Sequence, residues 1–188
     1  HPRDAALPSK TRAILEKLSG SYFTAVISGR ALKDIKGFLG ELPVYIAGSH
    51  GFVIETDAGE VFRLPEAQGF CKDLEAAYRF LEGGLSSIPG VVLEMKDFSV
   101  AVHDRMVDEG LKPAVEREVE RAQALFPRLK RASGKCVFEF KPLIDWDKGK
   151  AVRWIMDRLP IKEGGAFPIV IGDDATDEDA FLAVKGSG

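Results

Sequence analysis

Cysteine is scarce: Cys71 and Cys136 stand far apart in unlike surroundings among 188 residues, so neither a disulfide framework nor a C-x-x-C site is expected. The three histidines, His1, His50 and His103, have no zinc-ligand spacing. No apolar run approaches the roughly 18–20 residues of a membrane span, and no charged-then-apolar leader is present, although the sequence opens on His1 rather than Met. G-x-x-x-x-G-K-[ST] is missing as well, which excludes a P-loop nucleotide site. Positive charge is not in excess: 26 Lys+Arg against 29 Asp+Glu leave a net charge of −3, which argues against nucleic acid or anionic lipid as a partner. A reducing, cytoplasmic compartment is the expectation. What remains is 45% hydrophobic and 29% charged, an ordinary globular composition long enough for one large domain or two small ones.

Periodicity divides the chain into three stretches. Residues 9–18 predict a helix with Ile14, Leu15 and Leu18 on one face. Residues 23–27 and 44–47 are short, continuously apolar strands separated by a helix over 31–38, the alternation of a parallel α/β layer. The texture then changes. Two hairpins (52–55 with 61–64, 91–95 with 98–105), helices over 66–81 and 113–126 and an alternating strand over 135–141 predict an α+β block with half-exposed antiparallel strands. From Asp147 the first texture returns: a helix over 148–159 stopped by Pro160, a buried strand over 168–171 and a last helix opened by Thr176 with Asp179 in a capping-box relation. The expected division is core over 1–59, an insert over 60–142 and core again over 143–188.

In an open parallel sheet, ligands bind beyond the carboxyl ends of the strands. Ser28-Gly29-Arg30 ends the first strand with a hydroxyl, a glycine amide and a guanidinium, all phosphate-binding groups; Ser28 could equally be a helix N-cap. Gly48-Ser49-His50-Gly51 ends the second, where a plain tight turn is the other reading. Asp173 and Asp174, beside Asp177 and Asp179, crowd carboxylates whose hard oxygens suit Mg²⁺, or form a solvated acidic helix start. Lys148 opens a helix where the dipole disfavours a cation unless an anion lies close. Ser, then Lys, then Asp-Asp suggests phosphoryl chemistry. The order differs from that of a two-component receiver, which places its acidic pair first. In the insert, Glu94 and Lys96 flank a hairpin turn, His103 and Arg105 lie on the returning strand, and Lys135 and Glu139 share a strand face. Such a surface could bind a polyhydroxylated ligand or be an ordinary solvated face.

These motifs resemble the haloacid-dehalogenase-like phosphatases, and within them the trehalose-6-phosphate phosphatases. The similar stretches are VISGR (26–30), AGSHG (47–51), EMKDFSVAVHDR (94–105), GKCVFEFKPLIDWDKGKAV (134–152) and PIVIGDDATDEDAF (168–181), in the family's order and with wording nearest its plant-type members. The resemblance implies a Rossmann-like parallel-sheet core with an inserted α+β cap, and a Mg²⁺-dependent enzyme; the oligomeric state stays open, with a monomer favoured. It would hydrolyse trehalose 6-phosphate through an aspartyl-phosphate. By the same resemblance Ser28 would hold the phosphoryl and Lys148 neutralise its charge. Asp173, with Asp174 and Asp177, would complete the metal site. Glu94, Lys96, Arg105, Lys135 and Glu139 would bind the sugar phosphate, with Arg30 and His50 lining the mouth.

One departure stands out. The family's D-x-D-G-T motif, which supplies nucleophile and general acid, is absent from the sequence. It is expected upstream of His1, with a final strand and helix beyond Gly188, so that this chain by itself should not turn over substrate. Two other readings stay open: a phosphatase of another sugar phosphate such as sucrose 6-phosphate, and an inactive sugar-phosphate-binding domain.

Overall fold

The computed structural model describes residues 7–159 and 167–185, which fall into two compact units: those up to Arg63 together with those from Asp145 on, and Leu64–Ile144. In the first unit the buried strands pair as their apolar runs demand. β1 (Ala25–Ile27) runs parallel to β2 (Tyr45–Gly48), with Val26 opposite Ile46. β3 (Val53–Glu55) and β4 (Val61–Arg63) follow antiparallel, giving a mixed sheet in the order β1-β2-β3-β4. The hairpin therefore belongs to the core sheet and not to the insert. That moves the unit's edge from the expected residue 59 to Arg63 and the return from 143 to 145.

Side chains alternate across this sheet. Tyr45, Ala47 and Ile54 face Ala151 and Ile155 of α6 (Lys148–Met156), with Ile27, Phe62 and Trp154 around them. On the other face lies α2 (Leu32–Leu39), which buries Leu32, Ile35 and Leu39 and is tied to β3 by Lys36 Nζ–Glu55 Oε1 at 2.6 Å. Before β1, α1 (Ser9–Ser19) buries no residue; its Arg12 donates to the Phe38 carbonyl at the end of α2. The expected stop of α6 at Pro160 lies outside the described residues; the helix ends at Met156.

Two expectations and one alternative reading for this unit fail. Residues 168–171 are not a strand: Ile169 is 77% and Ile171 92% exposed, and the segment has no ladder partner among the described residues. β-branched residues favour a strand only when a neighbour takes up the backbone bonds and one face is covered. Ser28 does not cap α2; Ala31 occupies that position. The capping box before α7 (Glu178–Val184) joins Asp174 and Asp177 around a 3₁₀ turn, not Thr176 and Asp179.

The second unit is one antiparallel sheet with helices on one face. β5 (Val92–Met95), β6 (Val100–His103), β7 (Leu129–Gly134) and β8 (Val137–Pro142) pair in the order β5-β6-β8-β7. Val100, Val102, Leu129 and Phe140 meet Leu74, Ala77, Leu81 and Leu85 of α4 (Cys71–Leu85) and Val115, Val119 and Ala122 of α5 (Lys112–Leu125). The single helix expected over 66–81 is two: α3 (Pro65–Gln68) stops at Gly69, a helix-weakening residue, and α4 begins at Cys71 after Phe70. Gly90 precedes β5 at φ +87, and a methyl group there would run into the Met106 carbonyl and come within 2.9 Å of the Val107 nitrogen. Gly90→Ala should cost about 1–3 kcal/mol, read as a lowered Tm in thermal unfolding followed by circular dichroism; an unchanged Tm would show the turn to be pliable. Among the described residues no helix is long and apolar enough to cross a membrane.

Candidate active site

Two loops of the first unit, both following strands, come together through backbone bonds. Ser28 N–H donates to Ala47 O (2.9 Å), His50 N–H to Ser28 O (2.9 Å) and Ser49 N–H to Arg30 O (2.7 Å). Ser28 Oγ accepts from the Arg30 amide at 3.2 Å, so its hydroxyl proton is left to donate. The His50 ring lies on Gly29, where an added Cβ would come within 2.7 Å of it. The Arg30 guanidinium rests 5.3 Å from the centre of the Phe38 ring. The two loops that carry Ser28, Arg30 and His50 are thus adjacent.

A second cluster surrounds α6. Asp147 caps that helix, its Oδ1 accepting from Lys150 N–H at 2.8 Å. Lys148, only 6% exposed, directs its ammonium to Asp177 Oδ1 at 2.7 Å. The cation at a helix N-terminus therefore has its anion within the chain. Among the described residues this bond occupies one of three N–H donors, so the others can serve a further anion. Asp177 Oδ2 accepts from the amides of Asp173 and Asp174, each at 3.0 Å. Burial works to raise the Asp177 carboxyl, but Lys148 and these two amides outweigh it and hold it below the usual carboxylate range.

Carboxylate oxygens of Asp173, Asp174 and Asp177 lie within 4.8 Å of one another. The donors are all hard oxygens, which fits Mg²⁺. Their duties differ, however. Asp177 is engaged by Lys148 and two amides, Asp174 caps the 3₁₀ turn, and exposed Asp173 is the carboxylate most open to a cation.

The insert presents its own polar sheet face. Glu94 pairs with Ala101 and Ala101 with Glu139, so the two carboxylates flank a fully buried alanine in one row across β5, β6 and β8. His103 Nε2 sits 3.0 Å from Glu94 Oε2. Glu139 Oε1 accepts from Lys96 Nζ (2.9 Å) and Ser99 Oγ (2.8 Å). Arg105 and Lys135 are not on strands. β6 ends at His103, and Lys135 occupies the two-residue turn between β7 and β8. Asp104 N–H bonds Cys136 O at 3.3 Å and so draws both turns to one end of the sheet, opposite Lys96. The close approaches at Gly29 and Gly51 were not singled out from the motifs, where the glycines bracketing Ser49-His50 were the available signal.

A mixed sheet with helices on both faces and polar loops beyond its parallel strands is an architecture shared with the haloacid-dehalogenase-like hydrolases. A solved hydrolase of that type from Bacteroides thetaiotaomicron superposes with a TM-score of 0.63 at 16% identity, covering 94% of this chain and 78% of that one. The trehalose-phosphatase family model matches residues 1–187, and the chain belongs to that family. A trehalose-phosphate phosphatase of Mycolicibacterium paratuberculosis is 40% identical over 97% of this chain and 47% of its own length. A probable trehalose-phosphate phosphatase of Oryza sativa is 34% identical over 100% and 52%. The chain thus spans about half the length of the curated relatives it matches, and of these two the bacterial one shares more identities. The structure of a trehalose-6-phosphate phosphatase related protein superposes with a TM-score of 0.81 at 23% identity, over 97% of this chain and 75% of that one.

Proposed function

We propose that the protein carrying this chain removes phosphate from trehalose 6-phosphate with the help of Mg²⁺. The observation that carries this reading is the Lys148–Asp177 pair beside Asp173 and Asp174, in a chain of the trehalose-phosphatase family. Asp173 would be the principal carboxylate toward the metal, with Asp174 and Asp177 supporting it. Bound there, Mg²⁺ would neutralise charge on the phosphoryl group. Ser28 donates its hydroxyl proton to a phosphoryl oxygen, and the free N–H donors of Lys148 add charge-assisted bonds. Arg30 and His50 border the phosphate.

The disaccharide falls to the insert. Its Glu94 and Glu139 accept from sugar hydroxyls while His103, Lys96 and Ser99 hold the two carboxylates in place, and Arg105 and Lys135 offer cations at the turns. A charge-assisted hydrogen bond contributes about 1.5–3 kcal/mol. Glu94→Ala should therefore lower kcat/KM for trehalose 6-phosphate roughly 10–100-fold relative to that for p-nitrophenyl phosphate. Equal losses on both esters would remove Glu94 from sugar recognition.

The test of the whole reading is phosphate release by the full-length protein from trehalose 6-phosphate and from sucrose 6-phosphate, each with Mg²⁺ and with EDTA. Release from the trehalose ester, dependent on Mg²⁺, is expected. Release from the sucrose ester alone, or binding without turnover, would overturn it.

A further inference from the structure

The turn after β2 adopts a conformation that its residues do not favour. Ser49 (φ 49) and His50 (φ 59) are both left-handed, followed by Gly51 at φ 90. Each non-glycine residue there costs roughly 1–2 kcal/mol, and such a turn persists only where its surroundings determine it. Here they do so from two sides. His50 is fitted against Gly29 of the Ser28 loop. On the other side, a methyl group on Gly51 would run into the Ala151 methyl of α6 and come within 3.2 Å of Trp146 Nε1. Two buried polar atoms, Ser49 Oγ and Trp146 Nε1, have no hydrogen-bond partner among the described residues. What the Trp146 ring does show is a close approach to Gly51 through its Nε1 edge. Trp146 immediately precedes Asp147, the cap of the helix that Lys148 opens.

We infer that Gly51 and Trp146 are positioning residues: the indole edge and Ala151 close on the bare Cα of Gly51 and thereby key the Lys148 helix to the turn that carries His50. A continuous set of contacts then runs from Ser28 and Gly29 through His50 and Gly51 to α6, Lys148 and Asp177. The two clusters, which come from opposite halves of the chain, keep a fixed register. Neither residue touches substrate. The catalytic side of this inference rests on the phosphatase reading; the keying itself does not.

The experiment compares Trp146→Ala, Trp146→Phe, Gly51→Ala and the double variant Gly51→Ala/Ala151→Gly in the full-length protein. Phosphate release from trehalose 6-phosphate is followed alongside amide hydrogen exchange. Trp146→Ala and Gly51→Ala should each lower kcat at least about tenfold with KM within about twofold, the pattern of misplaced catalytic groups. Phenylalanine at 146, which keeps an aromatic ring but lacks the Nε1 edge that meets Gly51, should recover only part of the rate. Removing the Ala151 methyl should recover part of the Gly51→Ala loss. In both damaged variants, exchange should quicken together at the Ser49 and His50 amides and at Lys150, whose N–H bonds the Asp147 cap.

Wild-type kcat in folded Trp146→Ala, no relief from Ala151→Gly, or quickened exchange confined to one segment would each overturn the keying. A wild-type protein that releases no phosphate from trehalose 6-phosphate would overturn the phosphatase reading instead, with the exchange data still deciding the inference.

Discussion

Lys148→Ala in the full-length protein should lower kcat for trehalose 6-phosphate by about 10²–10³-fold, the loss typical of removing one donor aimed at developing negative charge. Three features place so large an effect on this residue. Its ammonium is almost wholly withdrawn from water, so its interactions are little screened. The bond to Asp177 fixes its direction, while its other N–H donors remain for an anion. It also opens α6, whose N-terminal amides add a positive partial charge at the same place. Removing it leaves Asp177 with two amides and no cation, so thermal unfolding must accompany the kinetics. Lys148→Met, which keeps the stem, should lose the rate while retaining more of the stability. A wild-type rate in either variant would make Lys148 a structural partner of Asp177 and nothing more.

Asp173→Asn should have the second-largest effect, lowering turnover roughly 10²-fold at ordinary Mg²⁺ and shifting the Mg²⁺ requirement upward. Asp173 is exposed, and its amide, not its carboxylate, supports the loop by donating to Asp177 Oδ2. Asparagine preserves that amide and the size of the side chain while removing the charge, so stability should change little. A Mg²⁺ titration of phosphate release separates the outcomes. A parallel curve of lower height with an unchanged midpoint would take Asp173 out of the metal site.

Legibility in the sequence followed the reach of the interactions. β2 was readable because Val44–Ala47 is buried on both faces, and a run of apolar residues records that directly. β8 was readable because Phe138 and Phe140 alternate with Val137, Glu139 and Lys141. β7 was not. As an edge strand it pairs on one side only, buries Leu129 and otherwise carries Lys130, Arg131, Ala132, Ser133 and Gly134, a run without strand periodicity. Residues 168–171 erred the other way, for Ile169, Val170 and Ile171 have strand chemistry without a strand partner among the described residues.

The site shows the same division. Ser28, His50, Lys148 and the aspartates could be picked out by type and by position after apolar runs. That Lys148 meets Asp177, 29 residues on, could not. Nor could the sequence show that Arg105 and Lys135 sit in adjoining turns, because that follows from the register of β6 against β8 and from one bond between Asp104 and Cys136.

The placement of the insert between β4 and α6 has a consequence for biosynthesis. Residues 64–144 are contiguous, and their sheet and helices complete one core among themselves. The face of the first sheet formed by Tyr45, Ala47 and Ile54, by contrast, waits for Ala151 and Ile155. At a ribosomal rate of about 5–20 residues per second, roughly a hundred residues of delay leave that face uncovered for about 5–20 s. The insert can become ordered in that interval, so that a formed body rather than a loose loop precedes α6 when it docks. α6 then covers the waiting face, and α7, synthesised after it, packs against α6.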